Sequence, residues 1–154
     1  MMRARKARSV TLSIRSLDGR RGLSRKLLEK ALAAGLEELP DRNYLVEIVY
    51  ADDAAMRKLN AAYRDDKAVT DVLAFPAHQT VPNDGYLLGE IIVNRDEAVR
   101  RRNEGGGVSQ ELLRYIVHGV LHLVGHDDAT PKLSKRMWQR QEQIVAMFSG
   151  RRRK

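Results

Sequence analysis

Two histidines, His118 and His122, lie four residues apart within an apolar run that repeats with helical period. This spacing brings both imidazoles to one face of a helix, about one turn apart. A helix uses the same arrangement to present two nitrogen ligands to one metal ion. Gly125 follows His122 by three residues, and glycine readily adopts the left-handed conformation that ends a helix. We therefore predict a metal site at a helix end, closed by a residue beyond Gly125.

Asp128 and His126, which both follow Gly125, are the two candidates for the third ligand. Asp128 lies three residues beyond the glycine, as the third histidine does in metzincin proteases, and this spacing favours it. His126 offers an imidazole, which suits zinc better than an isolated carboxylate does. An unbroken helix would place His126 roughly 12 Å from His118 along its axis, so a turn at Gly125 is needed in either case. We predict Asp128 as the third ligand and keep His126 as its rival.

Two histidines and one carboxylate leave a coordination position open, which is typical of a catalytic zinc ion that activates water. Metzincins carry a catalytic glutamate directly after the first histidine, but here that position is Gly119. Cleavage of a phosphodiester bond requires instead a cation near the phosphate oxygens. Arg64 is the best candidate, although spacing alone favours an ordinary surface arginine paired with Asp65 or Asp71. The fourth histidine, His78, lies in a predicted loop, and we expect it to be exposed.

The composition predicts one soluble cytoplasmic domain over residues 1–154 with short basic tails at residues 1–8 and 151–154. The chain has no cysteine, which excludes disulfide partners and thiolate ligands. Its apolar runs are too short to span a membrane. The tails carry eight of the 28 Lys and Arg side chains and none of the 20 acidic ones, so they account for the net charge of +8. Cationic tails on a neutral body favour contact with nucleic acid.

Hydrophobic periodicity and turn signals predict four strands and about five helices. The predicted strands are residues 9–15, 45–50, 70–75 and 87–93, with Pro76 ending the third and a loop over residues 77–86. The last helix begins at Thr130-Pro131 and is predicted to bury Leu133, Met137, Trp138, Ile144, Val145 and Met147. The resulting fold class is α+β (α/β-like), a mixed four-stranded sheet with one antiparallel strand, packed against about five helices.

Four segments together resemble one protein family: Leu59-Asn-x-x-Tyr-Arg64, Thr70-Asp-Val-Leu-Ala-Phe-Pro76, Leu88-Gly-Glu-Ile91 and His118-Gly-Val-Leu-His-Leu-Val-Gly-His-Asp-Asp128. They look like the YbeY-type endoribonucleases, which are bacterial rRNA maturation factors. The resemblance implies a single-strand-specific, metal-dependent ribonuclease acting in 16S rRNA 3′-end maturation and ribosome quality control. It also implies one zinc ion held by the two helix histidines and a third residue, a functional arginine at Arg64, and RNA and the small ribosomal subunit as partners.

The chain departs from the family pattern at four positions. Asp128 replaces the third zinc-binding histidine, His126 replaces a tyrosine, Glu90 replaces an aspartate and Ala74 replaces a serine. A carboxylate in place of imidazole makes the site harder, which shifts its preference towards Mn²⁺ or Mg²⁺ and makes these ions alternatives to zinc. Two other functions stay open: a metzincin-like metalloprotease in which Glu90 or Asp71 acts on the water, and a non-catalytic ribosome assembly factor with a structural metal.

Overall fold

The computed structural model describes residues 9–64 and 70–148, without the side chain of Arg64. Strands and helices alternate as far as the third strand, the fourth strand follows it directly, and three consecutive helices come last. Their bounds are β1 Ser9–Ser16, α1 Arg25–Gly35, β2 Asn43–Ala51, α2 Asp53–Arg64, β3 Val72–Val81, β4 Gly85–Asn94, α3 Arg95–Arg100, α4 Val108–Leu123 and α5 Pro131–Phe148. The basic tails lie outside the described residues, as does the segment 65–69.

The four strands form one mixed sheet in the order β1-β2-β4-β3. β1 runs parallel to β2, β2 runs parallel to β4, and β3 pairs antiparallel with β4. The parallel pairs are connected through helices, as parallel strands require, whereas β3 and β4 form a hairpin. The predicted fold class, with its single antiparallel strand, is therefore confirmed.

The β3–β4 hairpin is longer than the sequence predicted, and the loop expected over residues 77–86 is wrong. β3 continues past Pro76 to Val81, with an irregular register between Pro76 and Gln79 and a positive φ of 48° at His78. Proline lacks the backbone N–H that a central strand needs, but an edge strand or a bulge tolerates it. β3 pairs with β4 alone among the described strands, so Pro76 bends this strand without ending it.

Helix α4, which carries both histidines, lies at the centre of the fold. One face packs on the sheet together with α1, where Ile116 and Val120 meet Ile48 and Ile91 in one apolar cluster. Another face packs on α5 through a second cluster, formed by Leu113, Val117, Leu121, Met137, Ile144 and Val145. Burial on two sides explains why the helix is apolar nearly all round. It also holds the histidine face rigidly towards β3.

Helix α5 covers α4 with a narrower face than the sequence predicted. Met137, Ile144 and Val145 are buried as expected, but Trp138 is 59% and Met147 57% exposed, so the predicted burial of these two residues is wrong. On the opposite side of the sheet, α2 packs through Met56 against an apolar cluster that includes Ile92. Among the described residues, no helix combines the length and the apolar character that crossing a bilayer would require.

Candidate metal centre

A sharp turn ends α4 directly after the second histidine. Gly125 has a φ of +107°, and its N–H donates to the carbonyl oxygen of His122 at 3.1 Å. The N–H of His126 donates to the carbonyl oxygen of Leu121 at 2.9 Å. This pair of bonds is the Schellman arrangement, in which a left-handed residue satisfies the last carbonyl groups of a helix. The chain then folds back, and Asp128 returns to the histidine face.

Three side chains converge beside this turn. Nε2 of His122 lies 3.1 Å from Nε2 of His118 and 3.8 Å from Oδ2 of Asp128. One ligand atom from each of the three residues falls within 4.8 Å of the others. Two nitrogens at 2.0–2.1 Å from a tetrahedral zinc ion lie about 3.3 Å apart, so the spacing of the imidazoles fits one shared ion. The group can therefore hold a metal.

His126, the rival ligand, does not belong to this group of three. Its backbone N–H takes part in the turn after α4, and the residue is half-buried. The geometry among the described residues therefore favours Asp128 over His126 as the third ligand.

The electrostatics of His122 favour its neutral imidazole. Burial and the neighbouring His118 lower the pKa of His122, with Asp128 acting in the opposite direction. A metal binds the neutral form of histidine, because the ligand nitrogen must have a free lone pair. The side chain of Asp128 is 52% exposed, so the acid closes the site from the solvent side.

The second layer of the site comes from α5 and was not predicted from the sequence. Nδ1 of His118 lies 2.7 Å from Oε1 of Gln141, which is buried. The amide nitrogen of Gln141 donates to Glu142 at 3.0 Å, and Glu142 forms an ion pair with Arg114. A signal was present, since Gln141 is a polar residue on the apolar face formed by Met137, Ile144 and Val145. The sequence could not show that the partner of Gln141 is His118, because the two residues lie 23 positions apart.

A cleft of about 400 Å³ opens in front of the histidines. Its opposite wall is the start of β3, with Thr70, Asp71, Ala74 and Pro76 facing the site. Asn94 fixes this wall, because its backbone N–H donates to the carbonyl oxygen of Asp71 at 2.8 Å and its side chain donates to that of Thr70 at 3.2 Å. Asp71, considered in the sequence as a start of a strand, therefore lines the same cleft as the three candidate ligands.

Gly119 occupies the position at which metzincins carry their catalytic glutamate, and it is buried against the sheet. A Cβ atom at this position would lie 2.6 Å from Cγ2 of Ile91, which is closer than side-chain atoms approach each other. Close packing of α4 on β4 therefore requires a residue without a side chain. A glutamate could not occupy this position without moving the helix away from the sheet.

Glu90 and Arg64 are the other two candidates for catalysis, and the structure describes the side chain of Glu90 but not that of Arg64. Glu90 is adjacent to Ile91, which points at α4, and alternation along a strand places Glu90 on the other sheet face. There its carboxylate lies 3.4 Å from Arg15, and burial together with the charge of Glu47 raises its pKa. Arg64 is the last residue of α2, but its side chain lies outside the described residues. His78 is exposed, as predicted, and lies 3.3 Å from the hydroxyl of Tyr86.

Comparison with known proteins identifies the family. The family model of endoribonuclease YbeY matches residues 16–149. The chain belongs to the YbeY endoribonuclease family. The predicted family is thus confirmed. The protease and assembly-factor alternatives receive no such support.

Individual relatives agree with this assignment. An endoribonuclease YbeY from Anaeromyxobacter sp. (strain Fw109-5) is 38% identical over 81% of this chain and 65% of its own length. That of Anaeromyxobacter dehalogenans is 36% identical over 88% of this chain and 69% of its own length. That of Persephonella marina is 30% identical over 82% of this chain and 84% of its own length. The chain thus spans about two thirds of the length of the two Anaeromyxobacter relatives.

A solved structure shares the fold. The solution structure of TM1509 from Thermotoga maritima superposes with a TM-score of 0.59 and 28% sequence identity. The match covers 91% of this chain and 90% of the other. The mixed sheet and the helices packed on it are therefore the architecture of a known protein and not a local peculiarity of this chain.

Proposed function

We propose that this chain is a metal-dependent endoribonuclease that cleaves single-stranded RNA at the cleft in front of α4. The observation that carries the proposal is the convergence of His118, His122 and Asp128 beside that cleft, in a member of an endoribonuclease family. When bound, a divalent ion supplies a Lewis acid that polarises a phosphate oxygen and lowers the pKa of water. Zn²⁺ fits the two imidazoles, whereas the carboxylate also admits Mn²⁺ or Mg²⁺.

The chain's own residues divide the remaining work. Asp71 lines the cleft opposite the histidines, where its carboxylate can accept a proton from an attacking water. A cation that stabilises the developing charge on the phosphate is also required. We assign this role to Arg64, which ends α2 just before the segment leading into the cleft wall. Glu90, on the other face of the sheet, takes no part.

An exposed aromatic side chain fits recognition of unpaired bases. Trp138 precedes Gln141 by three residues on α5, and residues three apart are neighbours on a helix surface. Gln141 contacts the candidate ligand His118, so Trp138 lies about one helical turn from a residue that supports the metal site. Its 59% exposure leaves a flat surface on which a base can stack, as aromatic residues do in many single-strand binders. Duplex RNA keeps its bases stacked inside and does not offer this contact.

The biological substrate that we propose is the 3′ end of precursor 16S rRNA on the small ribosomal subunit, in the cytoplasm. The resemblance to rRNA maturation factors supports this assignment. The basic tails at residues 1–8 and 151–154 fit the same role, since clustered Lys and Arg side chains bind RNA phosphates.

A cleavage assay on a single-stranded RNA oligomer tests the proposal. The purified chain should cleave the oligomer, lose activity on treatment with a chelator and regain it when Zn²⁺, Mn²⁺ or Mg²⁺ is returned. His118→Ala and His122→Ala should abolish cleavage. His78→Ala is the matched control, because His78 is exposed and forms no part of the cleft lining.

Three outcomes would contradict the proposal. Equal cleavage by the parent and the His118→Ala/His122→Ala double variant would place the activity elsewhere or in a contaminant. Turnover of a peptide without turnover of RNA would support the protease alternative. Binding to small subunits that is unchanged by chelation, together with no cleavage, would support an assembly factor with a structural metal.

A further inference from the structure

A chain of hydrogen bonds leads from His118 away from the cleft and into the contact between α4 and α5. Nδ1 of His118 faces Oε1 of Gln141 at 2.7 Å, and the amide nitrogen of Gln141 donates to Glu142 at 3.0 Å. Glu142 accepts two hydrogen bonds from the guanidinium of Arg114, at 2.8 and 2.9 Å. Gln141 is only 6% exposed, so water does not compete readily for its amide.

Arg114, at the far end of this series of hydrogen bonds, fixes the direction of each of them. A guanidinium only donates hydrogen bonds, and a carboxylate only accepts them. Arg114 and Glu142 therefore require the amide nitrogen of Gln141, and not its oxygen, to face Glu142. The amide oxygen must then face His118, and an oxygen acceptor requires a proton on Nδ1.

The tautomer of the imidazole follows from this polarity. A neutral histidine carries one ring proton, so a proton on Nδ1 leaves Nε2 with its lone pair. Nε2 of His118 is the atom that faces His122, at 3.1 Å, on the side where Asp128 completes the group. The opposite tautomer would point a proton into the metal site and would leave the oxygen of Gln141 without its partner.

We propose that Gln141 is a positioning residue that holds His118 in the Nδ1–H tautomer and aims the Nε2 lone pair at the metal site. The inference rests on the proposed function in taking His118 as a ligand, and it adds the reason why that ligand is ready before the metal arrives. Partners of this kind fix ring orientation and basicity, and their loss typically weakens metal binding by about 10–100-fold.

The tautomer can be measured on the metal-free protein. Long-range ¹⁵N–¹H spectra of ¹⁵N-histidine-labelled protein, recorded well above the ordinary histidine pKa of about 6.5, distinguish a protonated from an unprotonated ring nitrogen. We expect a protonated Nδ1 and an unprotonated Nε2 for His118. A protonated Nε2 in the parent would overturn the inference and would leave the endoribonuclease proposal standing. If the parent shows the expected tautomer but binds no metal, the inference about Gln141 would stand and the endoribonuclease proposal would fail.

Three variants separate the polarity of the chain from simple packing. Gln141→Met keeps the length of the side chain without its hydrogen bonds, and it should abolish the tautomer preference and weaken Zn²⁺ binding by about 10–100-fold. The exchange Gln141→Glu/Glu142→Gln keeps an acceptor towards His118 and a donor behind it. It should therefore restore most of the tautomer preference and most of the Zn²⁺ affinity. Gln143→Met, at an exposed position of the same helix, is the control and should leave both unchanged.

The double exchange is the decisive comparison. A Gln141→Met protein with the parent's tautomer and Zn²⁺ affinity would show that Gln141 does not position His118. An exchange variant that folds but binds Zn²⁺ as weakly as Gln141→Met would show that the identity of Gln141, and not the polarity of the chain, matters.

Discussion

Two polar clusters in this fold, one around Asp53 and one around His118 and His122, differ in how their charges are satisfied. At the junction of α2 and α3, the carboxylate of Asp53 accepts hydrogen bonds from Arg100 at 2.6 and 2.8 Å and from Asn94 at 2.8 Å. Beside the end of α4, by contrast, two imidazole nitrogens face each other at 3.1 Å, with a half-exposed carboxylate nearby. The first cluster is complete within the chain, whereas the second gathers electron-pair donors that an ion would complete.

The pKa directions express the same difference. Hydrogen bonds from Arg100, and to a lesser extent from Asn94, lower the pKa of Asp53 to about 2, although burial acts in the opposite direction. Burial and the neighbouring His118 lower the pKa of His122, which removes the charge instead of stabilising it. A cluster that stabilises the fold keeps its groups ionised and paired. A cluster suited to binding keeps lone pairs available at the cost of some stability.

The largest effect should follow from removing a histidine ligand. His118→Ala or His122→Ala should weaken Zn²⁺ binding by more than about 100-fold, since loss of a ligand should exceed the cost of losing a supporting residue. The metal-free His122→Ala protein should unfold at about the same urea concentration as the metal-free parent, because His122 is only half-buried. His118→Ala should unfold at a lower one, because it leaves the buried amide oxygen of Gln141 without its partner. Calorimetric Zn²⁺ titration and urea unfolding measure the two quantities, with His78→Ala as the control.

The third ligand gives the next largest effect. Asp128→Ala should weaken metal binding by about 10–100-fold and shift the preference further from Mn²⁺ and Mg²⁺, which favour carboxylate oxygens. His126→Ala should retain the parent's affinity. Metal content measured after dialysis compares the two variants directly. Loss of metal in His126→Ala with retention in Asp128→Ala would reverse the assignment.

Removal of Asn94 should produce the opposite pattern, a loss of stability without a loss of metal binding. The side chain is fully buried, caps α3 through the N–H groups of Asp96 and Glu97 and donates to Asp53. Asn94→Ala should lower the free energy of unfolding by about 1–3 kcal/mol, through the lost cap and the unpaired groups left behind. Asn103→Ala, at an exposed position, is the matched control. Unchanged unfolding in Asn94→Ala would contradict the structural role of this cluster.

The smallest effect is the acid sensitivity of the Asp53 pair. Because the folded-state pKa of about 2 lies below the ordinary value of 3.8, the unfolded chain binds this proton first as the pH falls. The contribution of Asp53 is therefore present above about pH 4 and disappears as the pH falls through about 2. A comparison of urea unfolding for the parent and Asp53→Asn should show a difference at neutral pH that vanishes near pH 2. A constant difference across this range would argue against an ionised pair.

The parts of the molecule that sequence could predict are those set by local spacing. The i, i+4 interval of His118 and His122 fixes their common helix face, and Gly125 marks the turn that returns Asp128 towards them. The mixed sheet with one antiparallel strand also follows from the alternation of strands and helices with one short connection. Each of these features depends on residues within about one or two helical turns or on the length of a connecting segment.

The features that sequence did not predict depend on how distant elements pack. Gln141 contacts His118 because α5 crosses α4 at one particular level, and no local pattern encodes that level. Trp138 is exposed because α4 covers only part of the apolar face of α5. Pro76 remains within a strand because β3 has a neighbour on one side only among the described strands, which is a property of the whole sheet.

The central claim is that His118, His122 and Asp128 hold one divalent ion. An anomalous difference map from crystals of the Zn²⁺-loaded protein, measured at the zinc absorption edge, tests it most directly. We expect one peak at about 2.0–2.1 Å from both Nε2 atoms and about 2.0–2.2 Å from a carboxylate oxygen of Asp128. A map without a peak between the two imidazoles, or with the ion bound by other residues, would contradict the account.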